Sequence, residues 1–185
     1  MTDTKDTSLT PVQQKFIVHW GEMGTRWGIN RTVAQVHALL YLSARPLHAE
    51  AIAATLGVAR SNVSTSLKEL QGWGIIRIVH AMGDRRDHFE SIKDVWELYR
   101  QVMDERKRRE IDPTIALLGE LAQRLANDTS APKALRDRVM RMHEFIGTLS
   151  GWYEQVRVLP KSTLVTLMKL GSKVARLIPG SSRKD

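Results

Sequence analysis

Nine consecutive residues, Arg60 to Lys68, read RSNVSTSLK. At helical spacing, Arg60, Ser61, Asn62, Ser64, Thr65 and Lys68 share one side, and Val63, Leu67 and Leu70 recur at i, i+4 and i+7 on the other. Short hydroxyl and amide groups beside two cations suit phosphate oxygens and the edges of DNA bases. A merely solvated face would carry longer Glu and Lys side chains. Further on, Arg85 and Arg86 lie in HAMGDRRD, where Gly83 and Asp84 favour a turn. Guanidinium groups at the tip of a turn can enter a narrow minor groove. Asp84 and Asp87 flank the pair, and the expectation is that Asp87 braces one arginine while the other points outward.

Other chemistry is missing. The six histidines form no helical ligand pair; His80 and His88 could face each other across a hairpin, as a surface pair and not as a metal site. There is no glycine-rich phosphate loop and no cysteine, so no thiolate site and no disulfide framework. Gly147–Gly151 lacks the setting of a nucleophile elbow. No enzyme, metal or cofactor is indicated. Trp20, Trp27, Tyr41, Trp96 and Tyr99 lie outside the polar face. Five rings at such positions serve a core, or converge on a quaternary ammonium ion through cation–π attraction; spacing alone does not decide between these.

These residues need elements to hold them. Ala49–Leu56 reads as a helix, Gly57 as a turn requiring positive φ, and Arg60–Gln71 as a second helix. Ile75–Val79 and His88–Ser91 read as paired strands. The fold class is mainly α with a small β-wing: a winged helix-turn-helix domain plus a helical dimerisation region. Residues 1–9 read as a mobile tail. The DNA-binding domain spans 10–93. It opens with a helix capped at Thr10–Pro11, loosely apolar at Phe16, Val18, His19 and Met23 and weakened by Gly24 and Gly28, followed by a helix from Asn30 with an apolar face through Val33, Val36 and Tyr41. A dimerisation and effector region follows over 94–155. In it Asp94 caps a helix to about Ile111, whose basic end Arg106–Arg109 complements the dipole, and Asp112–Pro113 starts another. A further helix carries Leu135, Val139, Met142, Ile146, Leu149 and Tyr153 in 4-3-4-3-4 spacing, which favours pairing across a dimer.

The 185 residues, 42% hydrophobic and 26% charged, are ordinary for a globular chain. Net charge is +8, which favours an anionic partner. Residues 59–91 contribute only +1 of it, and residues 156–185 contribute +6. The DNA reading therefore rests on where particular residues face. Residues 156–185 form a basic amphipathic tail with Leu164, Leu167, Met168, Val174 and Leu177 on one face. Such a helix can lie on an anionic membrane; docking on the protein itself is preferred, because Gly171 weakens the helix and no large aromatic anchors it. Pro179–Asp185 should fray. The N-terminus lacks a secretory pattern and no apolar run is long enough for a transmembrane segment, which fits a cytoplasmic location.

The turn and second helix (LGVARSNVSTSLKELQGWGIIR), the wing (GDRRDHFES), the following KDVWELYRQVMDERKRREIDP and the upstream FIVHWGEMGTRWGINRTVAQVHALLYLS resemble the MarR-type winged-helix regulators, and most of all the glycine-betaine and choline-responsive repressors. The likeness spans roughly Phe16 to Leu118. It implies a homodimeric repressor on a palindromic operator, with Ser61, Asn62, Ser64, Thr65 and Lys68 facing the major groove and Arg85 and Arg86 at the wing tip. Ala59 stands where the family commonly has a capping serine. The likeness also implies a small effector, such as a choline-like cation, for which Trp20, Trp27, Trp96 and Tyr99 are the candidate contacts. The rival from another class is a winged-helix module that binds protein or a membrane surface instead of DNA.

Overall fold

The computed structural model describes residues 9–177, with side chains through Leu170. The reading of residues 1–8 as a tail and of Pro179–Asp185 as a frayed end lies outside the described residues. The chain forms two compact units, one ending at Met103 and one beginning at Asp104.

The first unit is laid around α2 (Arg31–Leu42), which buries Val33, Ala34, Val36, His37, Ala38, Leu39 and Leu40. Asn30 caps it by accepting the Thr32 N–H. α1 (Pro11–Arg26) opens with a capping box between Thr10 and Gln13. Its buried face is Ile17, Gly21 and Gly24, not Phe16, Val18, His19 and Met23; Val18 and His19 are exposed. Gly24 does not weaken this helix so much as let α2 approach: a Cβ there would stand 2.5 Å from the Ala34 Cβ. Leu9, the end of the expected tail, packs on the core.

α3 (Ala49–Leu56) and α4 (Arg60–Gly72) follow, joined through Gly57 at φ 64°. Strands β2 (Ile76–Val79) and β3 (His88–Ser91) pair antiparallel, with Ile78 opposite Phe89. Sequence reasoning missed a third strand, β1 (Leu47–His48), which pairs with β3 and puts Leu47 opposite Phe89 and His48 opposite His88. Two residues are too few to show a period-two pattern. Ile52, Val63, Leu67, Leu70, Ile75, Ile76 and Phe89 fill the core under these elements. His37 lies in it, its Nε2 3.2 Å from the Ser91 hydroxyl. Lys93 extends its ammonium to the carbonyls of Leu40, Tyr41 and Ser43 at the end of α2, at 2.7–2.8 Å, and so satisfies acceptors that a helix end leaves open.

α5 (Val95–Arg106) is capped by Asp94, which accepts the N–H groups of Trp96 and Glu97 at 2.9 Å. The expected break at Asp112 is absent. Lys107–Ile111 forms a π-helical turn that runs on into α6 (Asp112–Asn127), with Asp112 itself at helical φ and ψ. Pro113 cannot donate to a carbonyl one turn back and clashes there in a regular helix; the wider turn just before it is where the ladder adjusts. The basic run does not end a helix either: Lys107 pairs with Asp112 and Glu154, and Arg108 with Glu105.

In the second unit, Asp128–Pro132 connects α6 to α7 (Lys133–Arg157). Arg136 ties the connection down by donating to the carbonyls of Leu125 and Asp128. Asp104 accepts from the Tyr153 hydroxyl at 2.8 Å and from Arg157 Nε and Nη2 at 2.9 Å each. Burial works against that carboxylate, but the hydrogen bonds from Arg157 and Tyr153 hold its pKa below the usual range. The expected seam on α7 splits. Val139, Ile146 and Tyr153 are half-buried, while Met142 and Leu149 are exposed beside Phe145 and Trp152, each 61% exposed. α8 (Lys161–Leu177) closes the described chain. No described helix is long and apolar enough to cross a membrane.

Candidate nucleic-acid interface

The interface is built on α4. Val63, Ser66, Leu67 and Leu70 face the core, and the Ser66 hydroxyl is consumed by the Asn62 carbonyl at 2.8 Å. This anchors one side and leaves Arg60, Ser61, Asn62, Thr65 and Lys68 exposed on the other, with Ser64 half-buried. Val58 packs against the core at the turn. Ala59 occupies the N-cap and offers no side-chain hydrogen bond, so the first N–H groups of α4 lack a side-chain cap, and a helix start of that kind can take an anion.

Six of the eight residues picked from sequence fall into two sets. Arg60 and Ser64 are tied back: Arg60 Nε is 2.9 Å from Glu50 Oε1, and the same guanidinium donates to the Ser64 hydroxyl. The hydrogen bond from Arg60 is the main reason the Glu50 pKa is lowered to about 2. Ser61, Thr65, Lys68 and Arg85 make no side-chain hydrogen bond or ion pair among the described residues, and all four are exposed.

The wing tip corrects one expectation. Arg86 is the braced arginine, but its partner is Asp84, not Asp87. Asp84 Oδ1 accepts the Arg86 backbone N–H at 3.0 Å and Nε at 2.9 Å. The reason is local: Gly83 at φ 81° turns the chain so that a carboxylate at i reaches the N–H at i+2. These hydrogen bonds from Arg86 push the Asp84 pKa well down, and Asp84 raises that of Arg86. Asp87 lies 3.9 Å from His80 instead. Arg86 also reaches inward, its Nη1 3.0 Å from His48 Nε2. A guanidinium only donates, so that nitrogen is bare and His48 Nδ1–H faces Glu50 Oε2 at 3.0 Å. The Ala51 N–H, 3.2 Å from the same Nδ1, then has no lone pair to meet there. A chain of polar contacts thus runs from wing tip to α4: Asp84, Arg86, His48, Glu50, Arg60, Ser64. His88 does not face His80; its ring meets His48 edge-on at 5.5 Å, because β1 sets those two residues opposite each other.

Between α3, α4 and the wing lies a cleft of about 280 Å³ lined by Glu50, Arg60, Lys68, Gln71, Arg86 and Asp87 among others. Sequence reasoning also missed Met82. It stands fully exposed at the turn of the wing, and only its place between Ala81 and Gly83 in the hairpin turn could have flagged it.

The four effector candidates are not gathered on this surface. Trp20 stacks on Phe16 at 5.3 Å. Trp27 follows α1, Trp96 and Tyr99 lie on α5, and Trp27 and Tyr99 are exposed. None of the four lines the cleft. Tyr41, the fifth ring, has the Lys93 ammonium 5.9 Å from its centroid, so its cation is supplied by the chain.

Residues 27–87 match the family model described as "MarR family". Among solved structures, a protein described as a transcriptional regulator is 17% identical, with a TM-score of 0.63 over 80% of this chain and 96% of its own. A transcriptional regulator of Thermotoga maritima, also 17% identical, covers 77% of this chain and 89% of its own, but a TM-score of 0.37 gives that likeness no weight. No curated protein matches the sequence. At 17% identity the first structure speaks for the fold: a mainly helical chain with a small antiparallel sheet. The family match is confined to residues 27–87, the stretch that carries α2 to α4 and the turn of the wing.

Proposed function

We propose that this chain is a homodimeric, sequence-specific repressor that lays α4 in the DNA major groove and its wing in the minor groove of a palindromic operator. The observation that carries this reading is the free polar face of α4: Ser61, Asn62, Thr65 and Lys68 are exposed, and the side chain between them and the core, Ser66, is already satisfied. Small donors and acceptors held on a helix whose opposite side is fixed can read base edges without first breaking internal hydrogen bonds. Lys68 and Arg85 supply phosphate and minor-groove contacts. Arg86 stiffens the wing through Asp84, and Met82 enters the groove beside Arg85 as an apolar wedge.

Pairing is supported by α7. Met142, Phe145, Leu149 and Trp152 repeat at 3-4-3 spacing and are all exposed, the pattern of a helix seam without a facing helix. A two-fold pair sets its two recognition helices about one DNA turn apart. A cytoplasmic location and an effector of choline-like type belong to this reading through the family likeness; quenching of tryptophan fluorescence by choline tests the latter.

The deciding experiment is a mobility-shift titration on the DNA flanking the protein's own gene. Binding should weaken steeply as salt rises. Asn62→Ala/Thr65→Ala should lose discrimination against a scrambled operator, by about 1–3 kcal/mol, and Arg85→Ala should weaken affinity more than Arg86→Ala. A double α4 variant that still separates operator from scrambled DNA defeats the groove assignment.

A further inference from the structure

We infer that α8 is a membrane-surface helix, a site at which this protein docks on anionic lipid bilayers. Three observations converge on it. First, α8 is the most strongly amphipathic of the described helices. Leu164, Leu167 and Met168 share one face at i, i+3 and i+4, with Leu170 at its edge. Second, that face is open to solvent from Leu167 onward: Leu167 is 47%, Met168 67% and Leu170 39% exposed. The sequence favoured docking of the helix on its own protein; Leu164 and Val165 are half-buried, and the face beyond them stays open. Third, the charge is of one sign. No acidic residue occurs between Gln155 and Lys184, while Arg157, Lys161, Lys169, Lys173 and Arg176 fall in or beside the helix.

Each possible occupant can be weighed against those facts. DNA would satisfy the cations and leave the leucines in water. A second α8 would cover the leucines but bring two single-sign helices together. An anionic bilayer satisfies both sides at once: the apolar face sinks to the acyl boundary while the lysine stems snorkel to the headgroup phosphates. The absence of a large aromatic anchor lowers the apolar share, and the basic share offsets it, since each cation near such a surface strengthens binding roughly fivefold. Gly171 weakens the helix in water but not once its apolar side is covered, because most helical stability comes from packing of such a face.

The test is flotation of the full-length protein with phosphatidylcholine vesicles containing phosphatidylglycerol, and with phosphatidylcholine vesicles alone. The protein should rise with the first and stay down with the second. Leu167→Asp/Met168→Asp should abolish flotation, while the circular dichroism signal and DNA affinity stay unchanged, which separates this inference from the DNA reading. Lys169→Gln/Lys173→Gln, with the apolar face intact, should lower binding roughly tenfold or more. Failure to float on anionic vesicles, equal flotation on neutral ones, or flotation that the aspartate variant retains overturns the proposal. So does a wild-type protein that stays down while the aspartate variant loses its dimer, which would show a second copy covering the face.

Discussion

Leu40, Ile52 and Leu70 in the first unit are almost wholly shielded from solvent, whereas no residue of α6 or α7 in the second is buried. Both units were written with apolar residues at helical spacing. The difference lies in what closes over them. In the first unit two helices, a helix-turn-helix and a three-stranded sheet enclose a common interior. In the second, α6 and α7 cover one side of each other and leave Met142, Phe145, Leu149 and Trp152 open. A periodic apolar stripe therefore fixes that a face must be covered, and says nothing of whether the cover lies in the same chain.

The sharpest way to break this comparison is truncation at matched positions. Ile52→Ala, at 0% exposure, should cost about 3–4 kcal/mol in urea unfolding, since it leaves a cavity in a packed interior. Leu149→Ala, measured at concentrations where the chain is monomeric, should cost under about 1 kcal/mol. Equal losses would show that the second unit holds a core of its own.

Acid should next separate the units. Burial, and then the nearby Lys93 charge, lower the His37 pKa from 6.5 to about 4. The fold thus favours neutral imidazole; its contribution is whole above pH 6.5 and is lost as pH falls from there towards 4. The span corresponds to about 3 kcal/mol at most. Asp104 in the second unit is shifted below 3.8, so its contribution is present above that value and fades only below it. Thermal melts between pH 6.5 and 4 should therefore weaken the first unit alone, and His37→Phe should flatten that slope. A parallel loss in both units contradicts this.

Two smaller effects test finer packing. Gly24→Ala should cost about 2 kcal/mol, because the added methyl would stand 2.5 Å from the Ala34 Cβ; differential scanning calorimetry reads it. Ala59→Ser should stabilise by about 1 kcal/mol through the cap that α4 lacks. If that variant melts no higher, the bare N–H groups are satisfied some other way.

Much of the first unit was legible in the chain. Gly57 between two short apolar helices, and two β-rich stretches around GDRRD, are local signals, and the turns appear where the sequence puts them. The free face of α4 was legible for the same reason: one helix fixes both its sides. What the sequence hid depended on neighbours or on exceptions. Gly24 read as a helix weakener, and only the approach of α2 shows it as a contact. Pro113 read as the first residue of a new helix because a π-helical turn has no residue signature of its own. Asp87 read as the brace for an arginine, and the turn geometry at Gly83 gave that role to Asp84 instead. On α7 the exposed seam keeps Met142 and Leu149 but takes Phe145 and Trp152 where spacing alone suggested Ile146 and Tyr153, which are half-buried.

The two-residue strand β1 has a consequence for the order of events in folding. Leu47 and His48 pair with Phe89 and His88, so α3, α4 and the wing all lie inside one closed loop of chain. Closing it carries an entropic cost that is met only when the ends meet. α4 and the wing should thus be acquired together and late, and their amide hydrogens should exchange as a single block instead of helix by helix.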